Sequence, residues 1–150
     1  MKKTSLASIL FAGALLALAA TAEAQQPKKV PQVAYLSLNS QSQNIDLYTA
    51  FLQGLHQLGY IENKNVMIEA RWADQNVDRL SALAAELVSL KVDVIVASSP
   101  QSALAAKKAT TTIPIVLAVG NDPVELGLIS SLARPGGNMR AKRPSSGRKR

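Results

Sequence analysis

Apolar and polar positions follow a repeating cycle from Val33 onward, and the cycle predicts the elements. Val33 to Leu38 is a short apolar run and reads as a strand. A polar loop, Asn39 to Asn44, leads into a helix from Ile45 to Leu58. There Leu47, Phe51, Leu55 and Leu58 recur at helical spacing, and Gly59 ends the helix. Val66 to Trp72 alternates and predicts a second strand, followed by a turn at Asp74-Gln75-Asn76. The next helix spans Val77 to Leu90, with Leu80, Leu83, Ala84, Leu87 and Leu90 on one face. Val92 to Ala97 is a nearly continuous apolar strand. An Ala-rich helix covers Gln101 to Ala109, and Ile113 to Val119 is a fourth strand. Pro123 then opens a helix carrying Val124, Leu128, Ile129 and Leu132, because proline in a first turn loses no hydrogen bond.

Strand and helix thus alternate through four cycles. The spacing leaves room for one crossover helix between strands, and the third and fourth runs are apolar enough to be buried on both faces. The pattern predicts an α/β fold, an open and mostly parallel sheet with helices on both faces.

The ends of the chain break the cycle. Lys2 and Lys3 precede an apolar run from Leu6 to Ala20, and Ala22-Glu23-Ala24 has the small-x-small form of a cleavage site. Residues 1–24 therefore predict a signal peptide cleaved after Ala24. The apolar run is short for a spanning helix, which needs about 20 residues. Residues 25–31 form a polar lead with Pro27 and Pro31. Beyond Asn138, Arg-Ala-Lys-Arg-Pro-Ser-Ser-Gly-Arg-Lys-Arg at 140–150 offers no aliphatic side chain larger than alanine. Residues 139–150 are therefore expected to be a basic disordered tail. One α/β lobe occupies 32–138, a length that suits a single core.

Charge changes the picture only when it is located. The formal charge is +7, yet Gln25 to Met139 carries nine Lys/Arg and nine Asp/Glu. The body is neutral, which argues against a nucleic-acid partner. With no cysteine there are no disulfides, thiol nucleophiles or thiolate metal sites, nor the lipidated cysteine of a lipoprotein. No stable membrane anchor is expected. The single histidine, His56, reads as a solvated helix position, and no metal site or cofactor is expected. No glycine-rich phosphate loop follows the first strand and no nucleophile elbow is present, so the chain does not read as an enzyme.

Candidate chemistry lies in the loops at the carboxyl ends of the strands, where open parallel sheets bind ligands. Ser37 and Asn39 follow the first strand, Ser98 and Ser99 the third, and Asn121 and Asp122 the fourth. The last two pairs lead into helices, whose N-termini suit a carboxylate. Simple N-capping explains such residues equally well, and both readings stay open. Trp72, the only tryptophan, reads as an amphipathic residue at a strand end.

Several stretches in order then suggest a family. They are Val33-Ala34-Tyr35-Leu36-Ser37, Phe51-Leu52-Gln53-Gly54-Leu55-His56-Gln57-Leu58-Gly59-Tyr60, Glu69-Ala70-Arg71-Trp72-Ala73, Val92-Asp93-Val94-Ile95-Val96-Ala97 and Leu132-Ala133-Arg134-Pro135-Gly136-Gly137-Asn138. Across residues 30–138 the chain resembles the substrate-binding proteins of ABC transporters, in particular the periplasmic components that include tryptophan-binding-like proteins of the type I periplasmic-binding fold. The resemblance implies a periplasmic protein that captures a small solute, such as an amino acid, and delivers it to ABC permease subunits. It also implies a second lobe, so this chain, ending in a basic tail, is expected to supply the first lobe and bind solute weakly. A truncated or frameshifted reading and a natural basic extension both remain open. The alternatives are a ligand-sensing extracytoplasmic domain, an α/β enzyme and a non-functional fragment.

Overall fold

The computed structural model describes residues 29–118 and 137–141. The predicted signal peptide, the helix predicted to open at Pro123, and Asn121 and Asp122 lie outside the described residues. The elements are β1 (Gln32–Ser37), a 3-10 turn (Ser42–Asn44), α1 (Ile45–Gln57), β2 (Met67–Trp72), α2 (Val77–Ser89), β3 (Val94–Ala97), α3 (Pro100–Ala109), β4 (Ile115–Leu117) and β5 (Met139–Ala141). The strands form one sheet in the order β2-β1-β3-β4-β5, and every pairing is parallel. This is the predicted α/β architecture.

Handedness distributes the helices. The step from β1 to β2 runs one way along the sheet, and the steps to β3 and β4 run the other. Right-handed crossovers then place α1 on one face and α2 and α3 on the opposite face. Strand side chains follow with period two. Ala34, Leu36, Ile95, Ala97, Ile115, Leu117 and Met139 join Leu80, Ala84 and Leu87 of α2 and Ala103 and Ala106 of α3 in the main core. Val33, Tyr35 and Val96 point the other way, with Tyr48 and Phe51 of α1 packed beside them.

Strand β2 lies at the sheet edge and keeps its alternation. Ile68, Ala70 and Trp72 face α1. Arg71 reaches α2 instead, donating from Nε and Nη2 to Glu86 Oε1 at 3.0 and 2.8 Å while Nη1 meets Glu69 Oε2 at 3.1 Å. The bond to Glu86 is the main reason the Arg71 guanidinium holds its proton more tightly than usual. At the other end of β1, Lys29 Nζ donates to Asp93 Oδ1 at 2.7 Å and the Gln32 N–H to Asp93 Oδ2 at 2.8 Å. Lys29 first, and then the Gln32 N–H, hold Asp93 below the usual carboxylate range.

Several boundaries differ from expectation. Strands β3 and β4 are shorter than their apolar runs, because Val92 and Ile113 pack against the core outside the ladder. The face of α1 is also rotated. Leu47 and Leu58 are exposed, and the helix turns Tyr48 and Phe51 toward Tyr35. Gly59 ends α1 as expected, at φ +85°, with its N–H donating to the His56 carbonyl and the Tyr60 N–H to that of Leu55. The tail boundary at 139 needs correction. Met139–Ala141 pairs with Ile115–Leu117 as β5, and Met139 is 1% exposed in the main core. One methionine supplies the inward residue, and the neighbouring Arg140 is on the outward face, exposed. Residues 142–150 lie outside the described residues.

Substituting Ile95→Ala, at a fully buried position in the middle of the sheet, is expected to cost about 2–5 kcal/mol in urea unfolding. Val116→Ala, on the half-open outer face of β4, is expected to cost less than about 1 kcal/mol.

Candidate ligand-binding site

The strand order reverses between β1 and β3, which are neighbours although β2 intervenes in sequence. Ligands in open parallel sheets gather at the carboxyl ends of strands at such a switch. Ser37 ends β1 and Ser98 follows β3, so two of the predicted residues come together there.

A third residue joins them. The Asn44 carboxamide nitrogen shares its two protons among three hydroxyl oxygens, Ser37 Oγ at 2.9 Å, Ser98 Oγ at 3.1 Å and Tyr35 Oη at 3.1 Å. Asn44 occupies the N-cap position of α1, yet its side chain makes no capping hydrogen bond. It is spent inward, at 6% exposure. Ser37 Oγ also accepts the Asn39 N–H at 3.1 Å, and Ser98 Oγ donates to the Leu36 carbonyl at a long 3.3 Å. Ser37 is 1% exposed, so its hydroxyl lies behind the surface. Ser98 is only partly buried.

Ser99 has a different occupation. It caps α3 in a reciprocal box: the Ser102 N–H donates to Ser99 Oγ at 3.1 Å, and the Ser99 N–H to Ser102 Oγ at 2.9 Å. Pro100 at the first helical position has no N–H. The helix start is thus largely self-satisfied, and capping accounts for Ser99.

Asn39 belongs to a neighbouring polar layer. Gln75 Nε2 donates to Asn39 Oδ1 at 2.8 Å and to Gln43 Oε1 at 3.3 Å, and the Gln75 N–H donates to the Leu38 carbonyl at 2.7 Å. Asp74 and Gln75 both adopt positive φ, 51° and 64°. That left-handed pair turns the chain after β2 back over the end of β1. Asn44 and Gln75 were not singled out by the sequence. The available signal was an asparagine directly before a helix, which reads as an ordinary cap.

Beneath the site is an aromatic floor. Tyr35 is fully buried, with ring centroids of Tyr48, Phe51 and Trp72 at 5.0, 5.3 and 5.5 Å. Tyr48 and Trp72 meet edge to face at 5.3 Å. Trp72 is therefore a packed strand-end residue. Burial pushes the Tyr35 hydroxyl's pKa up, against an opposing effect of its bonds with Ser98 and Asn44. Burial also raises that of Tyr48, with Glu62 and Tyr35 adding to it.

A separate groove of about 270 Å³ lies between α1 and the start of β2, lined by Leu52, Leu55, His56, Tyr60, Val66 and Ile68. It is remote from the strand ends and poor in polar groups. Among the described residues, no three His, Cys, Asp or Glu side chains gather to hold a metal ion.

Residues 32–140 match the model of the family described as ABC transporter substrate binding protein. The chain is 40% identical over 89 residues, 59% of its length, to the Tyrosine-binding protein of Clostridioides difficile (strain R20291), covering 26% of that relative. Two solved structures share the fold at 32% identity, each covering 75% of this chain and 38% of the other. One is a conserved domain protein from Vibrio cholerae O1 biovar El Tor, with a TM-score of 0.69. The other is the ligand-free, open form of a substrate binding protein with adhesive properties from Clostridium difficile, with a TM-score of 0.68. The chain thus spans about a quarter of the curated relative and 38% of these solved chains.

The tyrosines give the floor an alkaline limit. A raised folded pKa means that stability is fully present below the ordinary tyrosine value, about 10, and is lost as pH rises through the folded value. The melting temperature is expected to fall above about pH 10, with a shallower slope in the Tyr35→Phe/Tyr48→Phe double variant. Thermal melts followed by circular dichroism check both.

Proposed function

Because the chain belongs to the ABC transporter substrate-binding protein family, we propose that it binds an amino acid at the switch between β1 and β3 for delivery to an ABC permease. The family is one of substrate-binding proteins rather than enzymes, and such proteins typically work outside the cytoplasm. No helix among the described residues is long and apolar enough to cross a membrane.

The observation that carries the proposal is the convergence of Ser37, Asn44 and Ser98 at the switch point. A polar cluster over an aromatic floor suits a small solute with one charged end. The relative named for tyrosine binding supports an amino acid, with L-tyrosine the first to test. In this reading Ser98 meets the solute carboxylate, Ser37 supports it from behind, and Asn39 borders the cleft. Ser99 serves by shaping the start of α3. Asn121 and Asp122, which follow β4 in sequence, remain proposed contacts on the sequence pattern.

The site is tested by an amide NMR titration of the chain with L-tyrosine, which reads contacts out to millimolar dissociation constants, about −4 kcal/mol. Shifts are expected at 37–44 and 98–102, and Ser98→Ala is expected to weaken them about tenfold, as for one hydrogen bond to a charged group. Shifts confined to the groove between α1 and β2 would sink the assignment.

Export is proposed on the N-terminal pattern alone. Expression with residues 1–24 in place is expected to yield an osmotic-shock product beginning at Gln25, read by intact mass. A product retaining Met1 in the cytoplasmic fraction is the contrary outcome.

A further inference from the structure

The strand-end cluster carries a polarity. A carboxamide nitrogen brings only donors, and a hydroxyl brings one donor and two acceptor sites. Asn44 Nδ2 faces three hydroxyl oxygens, those of Tyr35, Ser37 and Ser98. The two Asn44 protons are shared among the three, so the hydroxyls turn lone pairs rather than protons toward Asn44. Ser37 Oγ accepts the Asn39 N–H as well, which fills both its acceptor sites. Ser98 spends its proton on the Leu36 carbonyl at 3.3 Å, a long bond that a charged acceptor would outcompete.

We propose that Asn44 is a positioning residue that sets the cleft's donor polarity, so that the partly buried Ser98 hydroxyl recognises an oxyanion, the carboxylate of the solute. An acceptor at this place would reverse the pattern. It would draw the three hydroxyl protons inward and leave oxygen lone pairs toward the solute, which repel a carboxylate. The inference rests on the binding reading above, but it concerns which end of the solute meets this cluster.

Asn44→Asp keeps the shape and removes every side-chain donor. Binding of L-tyrosine is compared with that of tyramine, which has the same ring and amine without the carboxylate, by NMR shifts at 98–102. The wild type is expected to bind L-tyrosine at least about tenfold more tightly than tyramine, and Asn44→Asp to lose that preference. A merely structural role for Asn44 would weaken both compounds alike. Equal binding of the two by the wild type, or a preference kept in Asn44→Asp, overturns the polarity while leaving the binding reading intact.

A second measurement needs neither solute nor variant. The Asn44 side-chain N–H protons, donated into buried oxygens, are expected to exchange with solvent at least about tenfold more slowly than the side-chain amide of the exposed Asn63. Exchange at the Asn63 rate overturns the proposal. If neither compound binds and the Asn44 amide is protected, the binding reading fails and the donor orientation stands.

Discussion

The handedness of parallel crossovers organises this molecule. The chain steps once toward β2 and then back past β1 to β3 and β4. A right-handed connection can satisfy both directions only by sending α1 to one face and α2 and α3 to the other. The loops leaving β1 and β3 therefore diverge, one toward each helical layer, and open a gap above the two most buried strands. Period-two side-chain alternation divides the apolar residues between the two faces. Ser37 shares the side of Val33 and Tyr35, which is why the Asn44 cluster forms over the aromatic floor rather than over the alanine-rich layer under α3.

A polar cluster so close to the core is stable only if its members satisfy one another. Leaving one buried donor or acceptor unpaired costs about 1–3 kcal/mol. Among the described residues, no buried side-chain nitrogen or oxygen lacks a partner. The Asn44 amide links the end of β1 and the start of α1 to the loop after β3, 54 residues further along the chain. It thereby ties the two loops that diverge from the switch. The Gln75 amide does the same between the turn after β2 and the loop after β1. The aromatic rings below add stiffness, since Tyr35 is enclosed by three others and holds its hydroxyl at a fixed height.

The fold was legible because its signals are local and repeated. Apolar runs marked every described strand but β5, and Gly59 marked the end of α1 by its backbone chemistry. Strand β5 was hidden because a three-residue strand needs only one inward side chain, and the basic residues around Met139 masked it. The rotated face of α1 was missed because leucine spacing outweighed the aromatic stack. Leu47 and Leu58 fit the period, but Tyr48 finds rings to pack against. The site was half legible. Ser37 and Ser98 follow from the strand ends, whereas Asn44 acts across 54 residues to reach Ser98, and no short-range pattern encodes that pairing.

Ser98 and Ser99 show how a local rule and a distant one separate adjacent residues of the same type. A helix start must satisfy its free N–H groups, and here Ser99, Ser102 and Pro100 discharge that need among themselves. Ser98 lies one position earlier, where the backbone still follows the strand, and its N–H is taken by the Leu36 carbonyl at 3.1 Å. No capping demand reaches its side chain. The hydroxyl is left for the Asn44 amide, and its own proton is held only by a long bond. The same logic applies to Asn44, a cap position whose side chain does not cap. Residues suited to a local task but released from it by their neighbours are the ones this fold turns toward the switch point.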